Sequence, residues 1–238
     1  MRIFISGGCK NGKSGRAEQL ALALHVEKTA GLRQDTSPKT ANPHQDTSPE
    51  TARPHQEASP VTACQGQEAL PETTHPYQDI PLYYVATMVP SNQEDEDRIS
   101  RHRLNRAGLG FQTVEAKQDI HLLLDSLNHE GVILLDSLTA LLLNEMLGKG
   151  ETIDHDAPAK VIRDLLLLAE AFRSIVFVSD YIYSDAYLYN ELTSSYRRGL
   201  ALIDRQMAAL CDCVIESFYG NYITHKGQAA LQTLEGLQ

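Results

Sequence analysis

Eight residues near the start, Gly7-Gly8-Cys9-Lys10-Asn11-Gly12-Lys13-Ser14, set glycines, a lysine and a hydroxyl at fixed spacing. They fit G-x-x-x-x-G-K-[ST] at every specified position. Glycines let successive backbone N–H groups converge on phosphate oxygens. A helix starting at this point adds the positive end of its dipole. Lys13 can then bridge the outer phosphates of a nucleotide, and Ser14 can ligate Mg²⁺. Such a cradle needs a strand before it and a helix after it. Arg2–Ser6 reads as a short buried strand, and Ala17, Leu20, Ala21 and Leu24 recur at helical spacing over Ser14–Glu27.

Asp136 closes the apolar run GVILLD, where a carboxylate that holds Mg²⁺ directly or through water belongs in a site of this kind. An Asp at a strand end also serves as a helix N-cap, and both readings stay open here.

A second chemical cluster lies in DEDRISRHRLNR, a charged stretch of helical character over Asp95–Ala107. It sets His102 among Arg98, Arg101, Arg103 and Arg106. A solvated basic face is the plain reading. The sharper one is that a neutral imidazole attacks phosphorus while neighbouring guanidinium groups neutralise the phosphates.

The elements that position these groups alternate. Leu82–Thr87, Phe111–Glu115, Gly131–Asp136, Ile175–Ser179 and Asp212–Phe218 read as strands. Ile120–Leu127, Leu138–Leu147, Ala157–Arg173 and Arg197–Cys211 read as helices, with a loop over Gly148–Asp156. This alternation predicts an α/β fold, a parallel sheet covered by helices on both faces.

Residues 34–77 stand apart as four eleven-residue units, each beginning Gln-Asp or Gln-Glu with Pro at its fifth position. A Pro in every unit excludes a supercoiled helix. Polar units without an apolar stripe do not repay the entropy of ordering. The reading is a disordered insert in a single domain formed by 1–33 and 78–238. His44, His55 and His75 fall at the repeat period, which accounts for them without a metal.

The chain has 238 residues, 21 Lys+Arg against 31 Asp+Glu, and a formal charge of −10. That balance disfavours a nucleic-acid binder. No stretch approaches the roughly 20 apolar residues of a membrane span, and no signal peptide precedes the glycines. Cys9, Cys64, Cys211 and Cys213 form no zinc-like pairing, and Cys211 and Cys213 read as buried structural thiols. A soluble cytoplasmic protein is expected.

The cradle GGCKNGKS, then YYVAT, RISRHRLNRAG with QTVE, ILLDSLT and VSD, occur in the order and spacing of one family. The chain resembles the bifunctional adenosylcobinamide kinase / adenosylcobinamide-phosphate guanylyltransferase family of cobalamin biosynthesis, over nearly all of its length outside residues 28–80. The helix carrying the H-x-x-x-R pattern is the most specific part of the likeness. The resemblance implies a P-loop, RecA-like sheet and a ring-like homo-oligomer. It implies phosphorylation of adenosylcobinamide by a nucleoside triphosphate, ATP or GTP, with Mg²⁺. It further implies transfer of GMP from GTP onto a histidine, matching His102, and then onto the new phosphate to give adenosylcobinamide-GDP. The matching nucleotide contacts are the cradle (Gly7, Gly8, Cys9, Lys10, Asn11, Gly12, Lys13, Ser14), Ala86-Thr87-Met88, Arg103-Leu104-Asn105-Arg106, Glu115 and Asp136. Lys13 and His102 would act in catalysis, Ser14 and Asp136 on the metal.

The likeness weakens after the strand over Ile175–Ser179. Where the family usually reads Asn-Glu-Val-Gly, this chain has Asp180-Tyr181-Ile182-Tyr183, and the family's Asn-Gln-Arg is Asp204-Arg205-Gln206. The tyrosines at 181, 183, 187 and 189 either stack on a flat ligand or pack with a wet hydroxyl. Two other functions remain consistent with the residues: a guanylyltransferase that has lost the kinase step, and a non-catalytic nucleotide-binding protein.

Overall fold

A computed structural model describes residues 1–35, 80–148, 153–183 and 185–236. The repeat tract, with Cys64 and the three repeat histidines, lies outside the described residues, except that the first helix runs on through Asp35.

The chain order is β1 (Arg2–Gly7), α1 (Lys13–Asp35), β2 (Leu82–Ala86), α2 (Gln93–Arg106) and β3 (Phe111–Glu115). A 3-10 turn (Ile120–Leu122) then leads into α3 (Leu123–Ser126), β4 (Val132–Asp136), α4 (Leu138–Leu147) and α5 (Ala157–Ala171). The remainder is β5 (Ser174–Asp180), α6 (Glu191–Leu210), β6 (Cys213–Phe218), β7 (Asn221–Lys226) and α7 (Gln228–Glu235).

The seven strands form one sheet in the order β3-β2-β4-β5-β1-β6-β7. The first six run parallel, and β7 pairs antiparallel with β6. One strand, β5, separates the cradle strand β1 from β4, which carries Asp136. This is the α/β fold expected from the sequence.

Parallel strands buried on both faces read as continuous apolar runs. Alternate side chains serve the two faces. Ile3, Ile5, Val132, Leu134, Val176 and Val178 pack toward Leu20 and Leu24 of α1. Phe4, Ile133, Leu135, Ile175 and Phe177 pack toward Leu142, Leu165 and Ile203 of α4, α5 and α6. Close approach shapes that second layer too: a Cβ on Gly199 would sit 2.7 Å from Cγ of Pro158.

Local chemistry sets the helix starts. Asn92 caps α2 by accepting from the Asp95 N–H at 3.0 Å, with Glu94, Asp95 and Glu96 in the first turn and Arg103 and Arg106 in the last. That charge order complements the helix dipole. Asn190 caps α6 by accepting from the Thr193 N–H at 2.9 Å, so the helix starts at Glu191, six residues before the Arg197 expected from its apolar spacing. The amphipathic helix expected over Ile120–Leu127 is instead the 3-10 turn followed by the four-residue α3.

Strand β6 matches the strand expected over Asp212–Phe218, whereas β7 and α7 carry no counterpart in the sequence reading. The hairpin turns on Tyr219 and Gly220, both at positive φ (48° and 77°), with Phe218 facing Asn221. That is the backbone of a primed two-residue turn.

Candidate active site

Parallel strands deliver their C-terminal ends to one edge of the sheet, and ligands of such folds bind there. β1 ends at Gly7, β2 at Ala86, β4 at Asp136 and β5 at Asp180.

The cradle follows β1 directly and α1 begins at Lys13, so the strand–loop–helix context holds. Lys10 and Gly12 take positive φ (60° and 82°), which turns the loop back on itself. Its outer side is braced by the C-terminal strands. The Asn11 side chain donates to the Ser217 carbonyl at 3.2 Å, and the Ser217 hydroxyl donates to the Asn11 carbonyl at 2.8 Å. Tyr222 donates to the Gly12 carbonyl at 3.4 Å. Arg16, one helical turn into α1, pairs with Glu235 of α7.

Lys13 is 5 % exposed. Its Nζ donates to the Gly8 carbonyl and to Asp180 Oδ1, both at 2.6 Å. Ser14 is half-buried in the first turn beside it.

Asp136 is not the helix N-cap: Ser137 caps α4, accepting from the Ala140 N–H at 3.3 Å. The carboxylate instead accepts from the Tyr84 hydroxyl at 3.0 Å on Oδ2. Burial and this neighbouring negative charge push the Tyr84 phenol well above its usual range, keeping it a donor. The guanidinium of Arg106 lies over the Tyr84 ring and donates to Glu18 Oε1 at 3.3 Å. Burial raises the Glu18 carboxyl while Arg106 pulls it back down.

Thr87 is fully buried. Its hydroxyl donates to the Ser137 carbonyl at 2.8 Å and accepts from the Ser137 N–H at 2.7 Å, tying β2 to the end of β4. Asn144 spans the same region, donating to the carbonyls of Thr87 and Lys117.

Two adjoining cavities open at this edge. One, about 440 Å³, is lined by Lys10 to Gly15 together with Arg101 and Asn105. The other, about 560 Å³, is lined by Tyr84, Ala86, Met88, Arg103, Arg106 and Glu115, among others. His102, half-buried on α2, lines both, as do Asp136 and Asp180. Arg103 reaches across to Glu115 Oε1 at 2.9 Å. Leu104 is 74 % exposed and lines neither cavity. Cys9 is exposed, and Gly7 abuts Ser217. The side chain of Arg98 lies outside the described residues.

Asp180, Tyr84 and Glu18 did not figure among the site residues expected from the sequence. Asp180 carried a signal, since it closes the IVFVS strand as Asp136 closes GVILLD. Tyr84 and Glu18 carried none, because their roles depend on partners far along the chain.

The tyrosine-rich loop divides. Tyr183 donates to Asp204 Oδ2 at 3.0 Å and packs on the core, and Tyr189 donates to Asp185 beneath Arg197. Tyr187 is exposed. Cys211 and Cys213 are both buried. Among the described residues no His, Cys, Asp and Glu cluster resembles a metal cage, and no helix is long and apolar enough to cross a membrane.

No curated protein matches the chain. The family model for cobinamide kinase / cobinamide phosphate guanyltransferase matches residues 65–224, which include α2 with His102 and the strands ending at Asp136 and Asp180 but not the cradle. With two thirds of its length matched, the chain belongs to the cobinamide kinase / cobinamide phosphate guanyltransferase family, whose members are transferases of cobalamin biosynthesis.

Proposed function

We propose that the protein phosphorylates adenosylcobinamide with a nucleoside triphosphate and then transfers GMP from GTP through His102 to give adenosylcobinamide-GDP. The observation that carries this reading is the position of His102 on the shared wall of two cavities, one of them lined by the glycine-rich loop and Lys13. Family membership supports the reaction class.

In the guanylyl step an imidazole nitrogen of His102 attacks the α-phosphorus of GTP. The N–P bond forms, the bond to the β-phosphate oxygen breaks, and pyrophosphate leaves. Arg101 and Arg103 flank the histidine and offset the charge of the phosphates. The phosphate of adenosylcobinamide phosphate then displaces the histidine, carrying GMP away. Lys13 and the N–H groups of the cradle hold the phosphate chain. The Ala86–Met88 turn, Arg106 and Glu115 line the neighbouring cavity, where the nucleoside would sit.

Mg²⁺ demands few protein ligands, normally one or two oxygens beside phosphate and water. Ser14 and Asp136 both line the cradle cavity and meet that demand. Tyr84 occupies only Oδ2 of Asp136, leaving Oδ1 for the ion. The bound ion supplies charge neutralisation at the phosphates.

Incubation with [α-³²P]GTP and Mg²⁺, beside a His102→Ala variant, tests the reading. An acid-labile, base-stable label on the wild type alone is expected. Absence of label from both chains, with GTP still bound, sinks guanylyl transfer and leaves a nucleotide-binding protein.

A further inference from the structure

Three side chains line both cavities, and two already have work: His102 carries GMP, and Asp136 is held by Tyr84 for the metal. The third, Asp180, is unassigned. It ends β5, and its backbone N–H donates to Thr139 Oγ1 at 2.8 Å, which fixes the turn that presents the carboxylate. Oδ1 is anchored on the buried ammonium of Lys13 at 2.6 Å. Oδ2 has no partner among the described residues. A carboxylate pinned by one oxygen and open at the other, beside a phosphate-holding lysine, is built to accept a proton from a group that meets the phosphate.

Other carboxylates near the cavities do not share this placement. Glu115 is tied to Arg103, and Glu18 lies behind Arg106. Glu94 lines only the cradle cavity and pairs with Lys10, and Glu96 lines only the other.

We propose that Asp180 is the general base of the phosphorylation step. This rests on the kinase reading above. The acceptor hydroxyl gives its proton to Asp180 Oδ2 as its oxygen bonds to the γ-phosphorus of the nucleoside triphosphate. The bond from that phosphorus to the bridging oxygen breaks, and its electron pair leaves with the nucleoside diphosphate. Asp180 afterwards releases the proton to water. Lys13 donates up to three N–H groups; two are used on Gly8 and Asp180, so one remains for a phosphate oxygen while the base stays in place.

The guanylyl step needs no such base, because an imidazole attacks without losing a hydroxyl proton. The two activities therefore separate the role of Asp180 as a base from its role as an anchor for Lys13. The test measures both on the full chain: phosphorylation of adenosylcobinamide from [γ-³²P]ATP, and single-turnover labelling from [α-³²P]GTP, for wild type, Asp180→Asn and Asp180→Glu.

Asp180→Asn is expected to lose at least about 100-fold in kcat for phosphorylation, the usual range for a general base, with a far smaller loss in labelling. Asp180→Glu, which keeps a carboxylate, is expected to retain more phosphorylation than Asn. Equal losses in both activities, or an unchanged phosphorylation rate in Asp180→Asn, would overturn the base. A wild-type chain that labels but does not phosphorylate overturns it as well, while leaving guanylyl transfer standing. A wild-type chain that does neither overturns the underlying reading.

Discussion

The guanidinium carbon of Arg106 lies 3.4 Å from the centre of the Tyr84 ring. The same ring carries the hydroxyl that holds Asp136, and the same guanidinium reaches Glu18. The last turn of the histidine helix α2 is thus linked through one aromatic ring to Asp136, the carboxylate proposed for the metal, and through one ion pair to α1. Tyr84→Phe keeps the ring and removes the hydroxyl, leaving Asp136 free to rotate. We expect the Mg²⁺ concentration needed for half-maximal labelling from GTP to rise several-fold while thermal stability changes little. Titration of the labelling rate with Mg²⁺ checks this.

Arg106→Met should act on stability. It strands the buried Glu18 carboxylate without its partner, a loss of about 3–5 kcal/mol for a buried pair broken on one side. Glu18→Gln added to Arg106→Met should recover part of that loss. Urea midpoints of the two variants decide it.

Asp204 gives the protein a pH-dependent weakness. It is 4 % exposed, and burial raises its carboxyl from 3.8 to about 6 despite hydrogen bonding from Tyr183. A raised acid binds its proton more tightly in the folded state. Its favourable contribution is therefore complete below pH 3.8 and is lost as pH climbs through about 6. Asp204→Asn should escape that loss, gaining about 3 kcal/mol at pH 8 over the wild type. The difference should shrink toward zero near pH 4, as read from denaturant midpoints across that range.

Lys160 sits among three carboxylates, Glu145 Oε1 at 2.5 Å and Asp164 and Asp119 at 2.9 Å. Glu145 and Asp164 are buried. Lys160→Met should cost about 3–5 kcal/mol, because two buried carboxylates lose their cation. None of these four side chains lines either cavity, so single-turnover labelling of the folded fraction should stay near wild type. A large drop in that rate would mean that the 116–119 segment depends on this cluster for its shape.

Residues 34–77 are proposed to be dispensable. Replacing them with a short Gly/Ser linker should leave the melting temperature and both activities close to those of the full chain. His25 on α1 contacts the Ile80 carbonyl at 2.7 Å, so the chain's return to the sheet is anchored independently of the repeats. Loss of activity in the shortened chain would assign the repeats a role.

The parallel strands were legible because full burial writes itself as runs such as VILLD and SIVFVSD, bounded by helices with helical periodicity. The strand–loop–helix setting of Gly7–Ser14 was legible because an apolar run precedes the glycine-rich spacing and helical periodicity follows it. Other features have no local signature. The start of α6 is set by an Asn190 cap among tyrosines that carry no helical period. The β6–β7 hairpin turns on Tyr219, a residue type that seldom accepts positive φ, so Tyr-Gly did not read as a turn. The Lys13–Asp180 pair joins residues 167 positions apart and is visible only once β5 lies beside β1.

The bracing of the cradle by Ser217, Tyr222 and Glu235 also has a consequence for biogenesis. Gly7–Ser14 is made well before its support, since Ser217 of the strand that buttresses Asn11 follows it by 206 positions. Contacts of such long range form slowly. During synthesis the loop is therefore exposed without its support, and nascent chains stalled before β6 should be unable to retain nucleotide. On the proposed nucleotide-binding role, competence to bind would come only as the hairpin emerges, so the loop waits on a strand that is made 206 positions after it.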